Sequence, residues 1–184
     1  MTYKTHLSTG LLFSSIVFLV LMDLHYSPIL ILSLAIATII GSSSPDLDTP
    51  TGELWDKIPA GGVLSRLINP VFIGGHRHLS HSLIGFVLFT GLFYLVLSLI
   101  PDLPILHATY YLLLAFAIGY ASHIFADLFT EMGVPLLFPL GYHLGIPPIK
   151  RIRIKTGRWF ENLIIYPIVT AALLIIIYLY LIAV

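Results

Sequence analysis

The sequence predicts an all-α, polytopic integral membrane helical bundle of about five transmembrane helices, with the N-terminus inside and the C-terminus outside. Three observations predict it: an extreme apolar composition, five separate apolar runs, and the confinement of every basic residue to alternate inter-run segments. Of 184 residues, 58% are hydrophobic and only 10% are charged, with a mean hydropathy of +0.98. Nine acidic and nine basic residues cannot clothe a water-soluble globule of this size. The length suits one domain, residues 1–184, and the apolar material suits membrane helices of about 20 residues each.

Cysteine is absent, so disulfide frameworks and thiolate metal sites are excluded, and any ion must be held by nitrogen and oxygen. A formal net charge of zero gives a nucleic-acid partner no support. Membrane lipids are the expected partners.

The apolar runs are Leu7 to Met22, Ile29 to Gly41, Leu79 to Ile100, Ala108 to Phe129 and Phe160 to Val184. Helix-stopping punctuation separates them: Tyr26-Ser27-Pro28, Ser44-Pro45, Pro101-Asp102-Leu103-Pro104 and Pro147-Pro148. Asp23-Leu24-His25-Tyr26 follows the first run where a secretory cleavage site would carry small residues, so that run reads as a retained span. Lys4 precedes the first run; Lys57, Arg66 and Arg77 lie between the second and third; Lys150, Arg151, Arg153, Lys155 and Arg158 lie between the fourth and fifth. With five crossings these segments share one side, which the positive-inside rule makes cytoplasmic. The run from Lys150 to Arg158 also suits contact with anionic head groups, besides setting topology. Thr49 to Gly75 mixes Trp55, Leu64 and Leu67 with charges, as a short interfacial helix would. Glu131 to Ile149 is rich in proline and glycine and reads as a re-entrant segment or lid.

Histidine and aspartate gather at the span ends. His6 opens the first; Asp46 and Asp48 close the second; His76, His78 and His81 open the third; His123 and Asp127 close the fourth. Starts of odd spans and ends of even spans face the same side, so the topology brings all four groups to one membrane level. His123 and Asp127 lie four apart and share a helix face. His78 and His81 are placed three apart on the helix proper, with His76 in the preceding loop or first turn. His25 and His107 belong to the opposite face, while His143, in the proline-rich loop, is a further candidate. Buried ionisable groups in lipid cost several kcal/mol unless paired or bound to an ion, so these residues call for a function. Imidazole with carboxylate suits zinc, manganese or iron, as one or two ions, and metal-assisted hydrolysis is the natural reaction. Arg77, beside the cluster, can clamp a phosphate or merely set topology. Each residue also has a structural reading: turn-forming aspartates after Pro45, or an interhelical hydrogen bond from His123 or Asp127.

At these residues the chain resembles the YdjM-like family of membrane-bound, metal-dependent hydrolases, which are mostly bacterial and archaeal. The matching pieces are His6, Pro45-Asp46-Leu47-Asp48, His76-Arg77 with Ser80-His81-Ser82, and His123 with Asp127. The family pattern His-Arg-x-x-Thr-His-Ser departs here only at Ser80, and His78 falls on a variable position. The family is distantly similar to zinc-dependent phospholipase C in its ordered histidines and aspartates. The resemblance implies a helical membrane protein with a metal-dependent hydrolase site, expected in a prokaryotic inner membrane, and the clustered residues make His6, Asp46, Asp48, His76, His81, His123 and Asp127 the expected metal ligands. Its expected substrate is a phospholipid or lipid-linked phosphoester, cleaved on the cytoplasmic face by metal-activated water, with Asp46 or Asp48 as general base and Arg77 on the phosphate. A metal-binding transporter and a scaffold with a structural metal are the rival classes. Sparse polar residues in the middles of the last three spans disfavour a through-pathway.

Overall fold

The computed structural model describes residues 1–21, 27–49, 53–57, 59–68, 77–100 and 106–183. Helix α1 (Tyr3–Ser15) runs into a π-helical stretch, Ile16–Leu21, and α2 (Pro28–Ser43) tightens into a 3-10 turn, Ser44–Asp48. Two short helices follow, α3 (Glu53–Asp56) and α4 (Gly61–Ile68), then α5 (Leu83–Ser98) and α6 (Leu106–Leu128). After a largely irregular segment, a π-helical stretch at Glu161–Ile165 leads into α7 (Tyr166–Ala183). Among the described residues the only β-pairing is two isolated bridges, Thr130 with Ile154 and Val134 with Leu144.

Among the described residues three stretches are long and apolar enough to cross a bilayer: Pro28–Asp48, Thr109–Leu128 and Glu161–Ile182, with mean hydropathies of 1.7, 1.5 and 2.4. The third expected span, α5, is apolar but shorter at 16 residues. The first, around α1, interleaves apolar residues with buried Thr5, His6, Thr9 and Ser14. Large apolar side chains on α5 and α7, such as Val87, Leu92, Ile168 and Ile175, are exposed on the protein itself, as residues bathed by acyl chains must be.

The chain's own chemistry sets several helix ends. Ser27 accepts the Leu30 N–H at the start of α2, where Pro28 occupies a position whose missing N–H costs nothing. Ser82 accepts the Gly85 N–H and starts α5. That cap corrects one sequence expectation: His78 and His81 do not sit on the third helix. Residues 77–82 form turns, because the Ser82 cap fixes the helix start at Leu83. Pro45, expected to end α2 outright, instead lies in the 3-10 continuation that carries Asp46 and Asp48.

Helix α6 is the hub, packed against α1, α2 and α5. One apolar cluster joins Phe18, Leu34, Ala37 and Ala115; a second joins Phe116, Tyr120, Ile124 and Val134. The α2–α6 seam is unusually close. A methyl group on Gly41 would strike the Phe116 carbonyl, and one on Gly119 would strike the Thr38 carbonyl. Small residues let membrane helices approach this way, so that dispersion replaces the hydrophobic driving force lipid does not supply. Beside the seam, Thr38 Oγ1 lies 2.8 Å from Ser14 Oγ and ties α2 to α1.

The segment read as a lid is strapped to the bundle by backbone bonds. Val134 and Leu144 exchange two at 2.8 Å, Glu131 and Ile154 meet at 2.9 Å, and Leu83 N donates to Leu136 O at 3.0 Å. Between the α2 and α5 ends, α4 exposes Val63, Leu64 and Leu67 while burying Ser65, as the expected interfacial helix would. Residues 50–52, 58 and 69–76 of that loop, His76 among them, lie outside the described residues, as do residues 22–26 and 101–105.

Gly119→Ala forces the α2–α6 seam apart at a cost of about 1–3 kcal/mol, the usual range for overpacking. Gly91→Ala, whose added methyl meets nothing within 4 Å, is the matched control and does not lower stability. Thermal denaturation of both variants in detergent checks the contrast.

Candidate metal centre

The ends of α2 and α6, the turn before α5 and the start of α1 meet at one end of the bundle. There His6, Asp48, His81, His123 and Asp127 are each at most 1% exposed, with Asp46 beside them at 22%. Six of the seven expected ligands are thus brought together; the seventh, His76, lies outside the described residues.

His123 is oriented by backbone. Its Nδ1 is 2.7 Å from the Ser42 carbonyl, which only accepts, so Nδ1 carries the proton and Nε2 presents a lone pair to the site. Ser42 lies in the last turn of α2, where carbonyls run out of intrahelical donors, and Pro45 supplies no N–H to relieve them.

His81 is oriented by a hydroxyl. Its Nδ1 is 3.0 Å from Ser80 Oγ, and Ser80 Oγ also lies in short hydrogen-bond contact with Asp48 Oδ2. The hydroxyl proton goes to the carboxylate, so the Ser80 oxygen accepts from His81 Nδ1, leaving His81 Nε2 as a second lone pair. Tyr120 steadies the same turn by donating to the Ser80 carbonyl at 2.5 Å.

These two Nε2 atoms face each other at 3.2 Å. Two lone pairs at that range repel unless an electrophile lies between them. For metal–nitrogen bonds of 2.0–2.1 Å, tetrahedral donors stand about 3.3 Å apart. The carboxylates extend the pattern. His81 Nε2 is 3.8 Å from Asp46 Oδ1 and 3.6 Å from Asp127 Oδ2; His123 Nε2 is 3.6 and 3.8 Å from the same atoms. Two donor groups result, Asp46 with His81 and His123, and His6 with His123 and Asp127, each with its ligand atoms within 4.8 Å of one another. His6 stacks on His123 at 3.6 Å between centroids with only 5° between planes, and its Nε2 is 3.4 Å from Asp127 Oδ1. His6 Nδ1 is buried without a hydrogen-bond partner. The donor set therefore fits a divalent cation, and both groups draw on the one free nitrogen of His123.

Asp48 and Arg77 stand beside these groups. Asp48 Oδ2 accepts the Arg77 N–H at 3.0 Å and the Ser80 hydroxyl, while Oδ1 accepts from Thr49 at 3.0 Å. The Arg77 guanidinium is 2.6 Å from Asp127 Oδ2 and donates to Thr130 Oγ1 at 2.9 Å and to the Gly133 carbonyl at 3.1 Å. Only its Nε lacks a partner. Arg77 also has φ +59°, a left-handed conformation that costs a non-glycine residue roughly 1 kcal/mol or more. Bonds at both its ends hold it there. The Met1 ammonium also pairs with Asp127 Oδ1.

His78 and His143 lie apart from the donor groups and meet each other edge to face at 6.1 Å. The supporting roles of Ser42, Tyr120, Thr130 and Gly133 had no sequence signal, because each acts through tertiary contact and two of them through carbonyls alone. Ser80 had one, its place next to His81 in Ser80-His81-Ser82. Glu161 had a clearer one, a lone acid at the threshold of an apolar run. It is fully buried and accepts from the Thr2 N–H at 2.6 Å, the Thr2 hydroxyl at 2.9 Å and the Gly157 N–H at 2.7 Å, pinning the start of α7 to α1.

The sequence pattern of the family described as YdjM inner membrane protein matches residues 1–184. The protein YvsG of Bacillus subtilis (strain 168) is 29% identical over 140 residues, 76% of this chain and 74% of its own length. The inner membrane proteins YdjM of Escherichia coli (strain K12) and Shigella flexneri are each 34% identical over 103 residues, 56% of this chain. That match spans 47% of their length, so the chain accounts for about half of those two relatives. No solved structure matches.

Because both donor groups pass through His123, His123→Ala removes divalent-ion binding altogether, whereas His6→Ala and Asp46→Ala each leave residual binding. Ser80→Ala keeps every ligand but frees the His81 ring, and weakens affinity by about 10–100-fold, the usual effect of losing an orienting partner. Titration calorimetry with zinc, on variants of unchanged melting temperature without metal, checks both.

Proposed function

The chain belongs to the YdjM family of inner membrane proteins, and on that premise we propose that it is a metal-dependent hydrolase cleaving a phosphoester of a phospholipid or lipid-linked phosphate. The observation that carries the reading is the pair of facing Nε2 atoms of His81 and His123, 3.2 Å apart and flanked by Asp46 and Asp127. Zinc is the expected ion, as imidazole and carboxylate with no thiolate suit it, although manganese and iron accept the same donors. When bound, a divalent ion polarises a phosphoryl oxygen and lowers the pKa of water toward neutrality.

The residues divide the remaining work. His81, His123, Asp46 and Asp127 hold the ion, with His6 completing the inner side. Asp46, at 22% exposure the most accessible of these carboxylates, faces the approach of substrate and water and serves as general base. Asp48 orients His81 through Ser80 and holds the Arg77 backbone, so its contribution is positioning. Arg77 fixes Asp127, and its unpartnered Nε is left to meet a phosphate oxygen.

The proposed topology has five crossings, α1 and α5 joining the three long spans, with the site on the cytoplasmic side of the membrane. Confinement of all nine Lys and Arg residues to alternate segments supports that orientation. A lipid substrate suits this placement, because its phosphate travels at the level where the donors gather.

The test uses purified protein in lipid nanodiscs, with added zinc or manganese or with chelator, offered a panel of phospholipids and lipid-linked phosphates. Release of head group or phosphate is expected with metal, falling by more than about 100-fold in His123→Ala and Asp127→Ala, beyond the loss typical of a merely orienting partner. Ion flux into liposomes without turnover would establish a transporter instead. Chelation that lowers the melting temperature, with no substrate turned over, would establish a structural metal.

A further inference from the structure

We propose that the groove at the foot of α7 is a docking site for the phosphate head group of an anionic phospholipid in the surrounding leaflet. The segment between Glu131 and Glu161 carries five bases, Lys150, Arg151, Arg153, Lys155 and Arg158, and not one acid. A cavity of about 360 Å³ opens there, lined by Ile152, Arg153, Lys155, Arg158, Trp159 and Phe160. Arg153 forms a fixed wall, because its guanidinium donates to the Pro147 carbonyl at 2.6 Å and the Pro148 carbonyl at 2.9 Å. Lys155 and Arg158 are exposed and are brought together by a tight turn, in which the Arg158 N–H donates to the Lys155 carbonyl at 3.2 Å. Gly157, at φ +73°, supplies the left-handed corner that such a turn needs at its third position. Glu161, the acid closest to these bases in sequence, is buried and engaged by Thr2 and Gly157, while Glu131 meets the strip through its backbone N–H on the Ile154 carbonyl at 2.9 Å.

Charge alone would suit any phosphate; the apolar rim selects the lipid. Trp159 and Phe160 are 67% and 40% exposed at the threshold of the Glu161–Ile182 span, the level at which aromatic belts meet head groups. Ile152 is 65% exposed on the same rim. A soluble anion gains nothing from covering these side chains, whereas a lipid meets them with its glycerol and upper acyl carbons while its phosphate reaches Lys155 and Arg158. Glu161 also ties this foot to Thr2, so the groove opens at the same end of the bundle as the histidine–aspartate cluster. The proposal stands whether or not that cluster is catalytic.

The experiment reads Trp159 fluorescence in a Trp55→Phe background, which leaves Trp159 as the only tryptophan. The protein is placed in nanodiscs of phosphatidylcholine containing a minor fraction of either brominated phosphatidylglycerol or brominated phosphatidylcholine. Quenching by the anionic lipid is expected to correspond to about fivefold local enrichment for each cation engaged. Lys155→Gln with Arg158→Gln should abolish that preference, and inorganic phosphate should not displace it. Equal quenching by the two brominated lipids overturns the proposal without reference to any charge variant. A preference that survives the double variant overturns the assignment to this groove. Displacement by inorganic phosphate overturns the lipid as occupant.

Discussion

The bond from His123 Nδ1 to the Ser42 carbonyl organises this end of the molecule, and it exists only because α2 and α6 are nearly in backbone contact. A side chain of any size at Gly41 or Gly119 would widen the seam and carry His123 away from the carbonyl that selects its tautomer. The imidazole would then be free to present either nitrogen, and the lone pair facing His81 would no longer be assured. Helix packing in the apolar interior and ligand chemistry at the rim are therefore one constraint.

Burial enforces the rest. Imidazoles and carboxylates at 0–1% exposure persist only when each polar atom has a partner, and most of those partners are identifiable. Asp48 is saturated by Arg77, Ser80 and Thr49; Asp127 is flanked by Arg77, His6 and the Met1 ammonium. His81 Nε2 and His123 Nε2 face each other at 3.2 Å, and His6 Nδ1 beside them is buried without a hydrogen-bond partner. Arg77 links the two carboxylate-bearing helix ends from a turn belonging to neither, which is why its backbone is kept in an unfavourable region.

Much of this was legible in the sequence, for a reason that can be named. Reading the apolar runs as alternating crossings puts the start of one and the end of the next at the same level, which groups His6, Asp46, His81, His123 and Asp127 from their positions along the chain. The i, i+4 spacing of His123 and Asp127 placed them on one face. Not legible were contacts that depend on rotation and approach of helices: the Ser42 carbonyl, the Tyr120 hydroxyl on Ser80, the Thr130 and Gly133 oxygens on Arg77. The apolar run begins at Leu79 and points to a helix that includes His81, whereas the Ser82 cap starts α5 later. Asp48 reads like Asp46 in the sequence, and only the hydrogen bonds separate a positioning carboxylate from an open one.

The donors are drawn from α1, the end of α2, the turn before α5 and the end of α6. A nascent chain emerges and folds from its N-terminus, so His6 is made long before Asp127 is synthesised. No early fragment holds the complete donor set, which comes together only once α6 has been made. In the finished protein that first imidazole shares the buried face of its own helix with Thr5, Thr9 and Ser14.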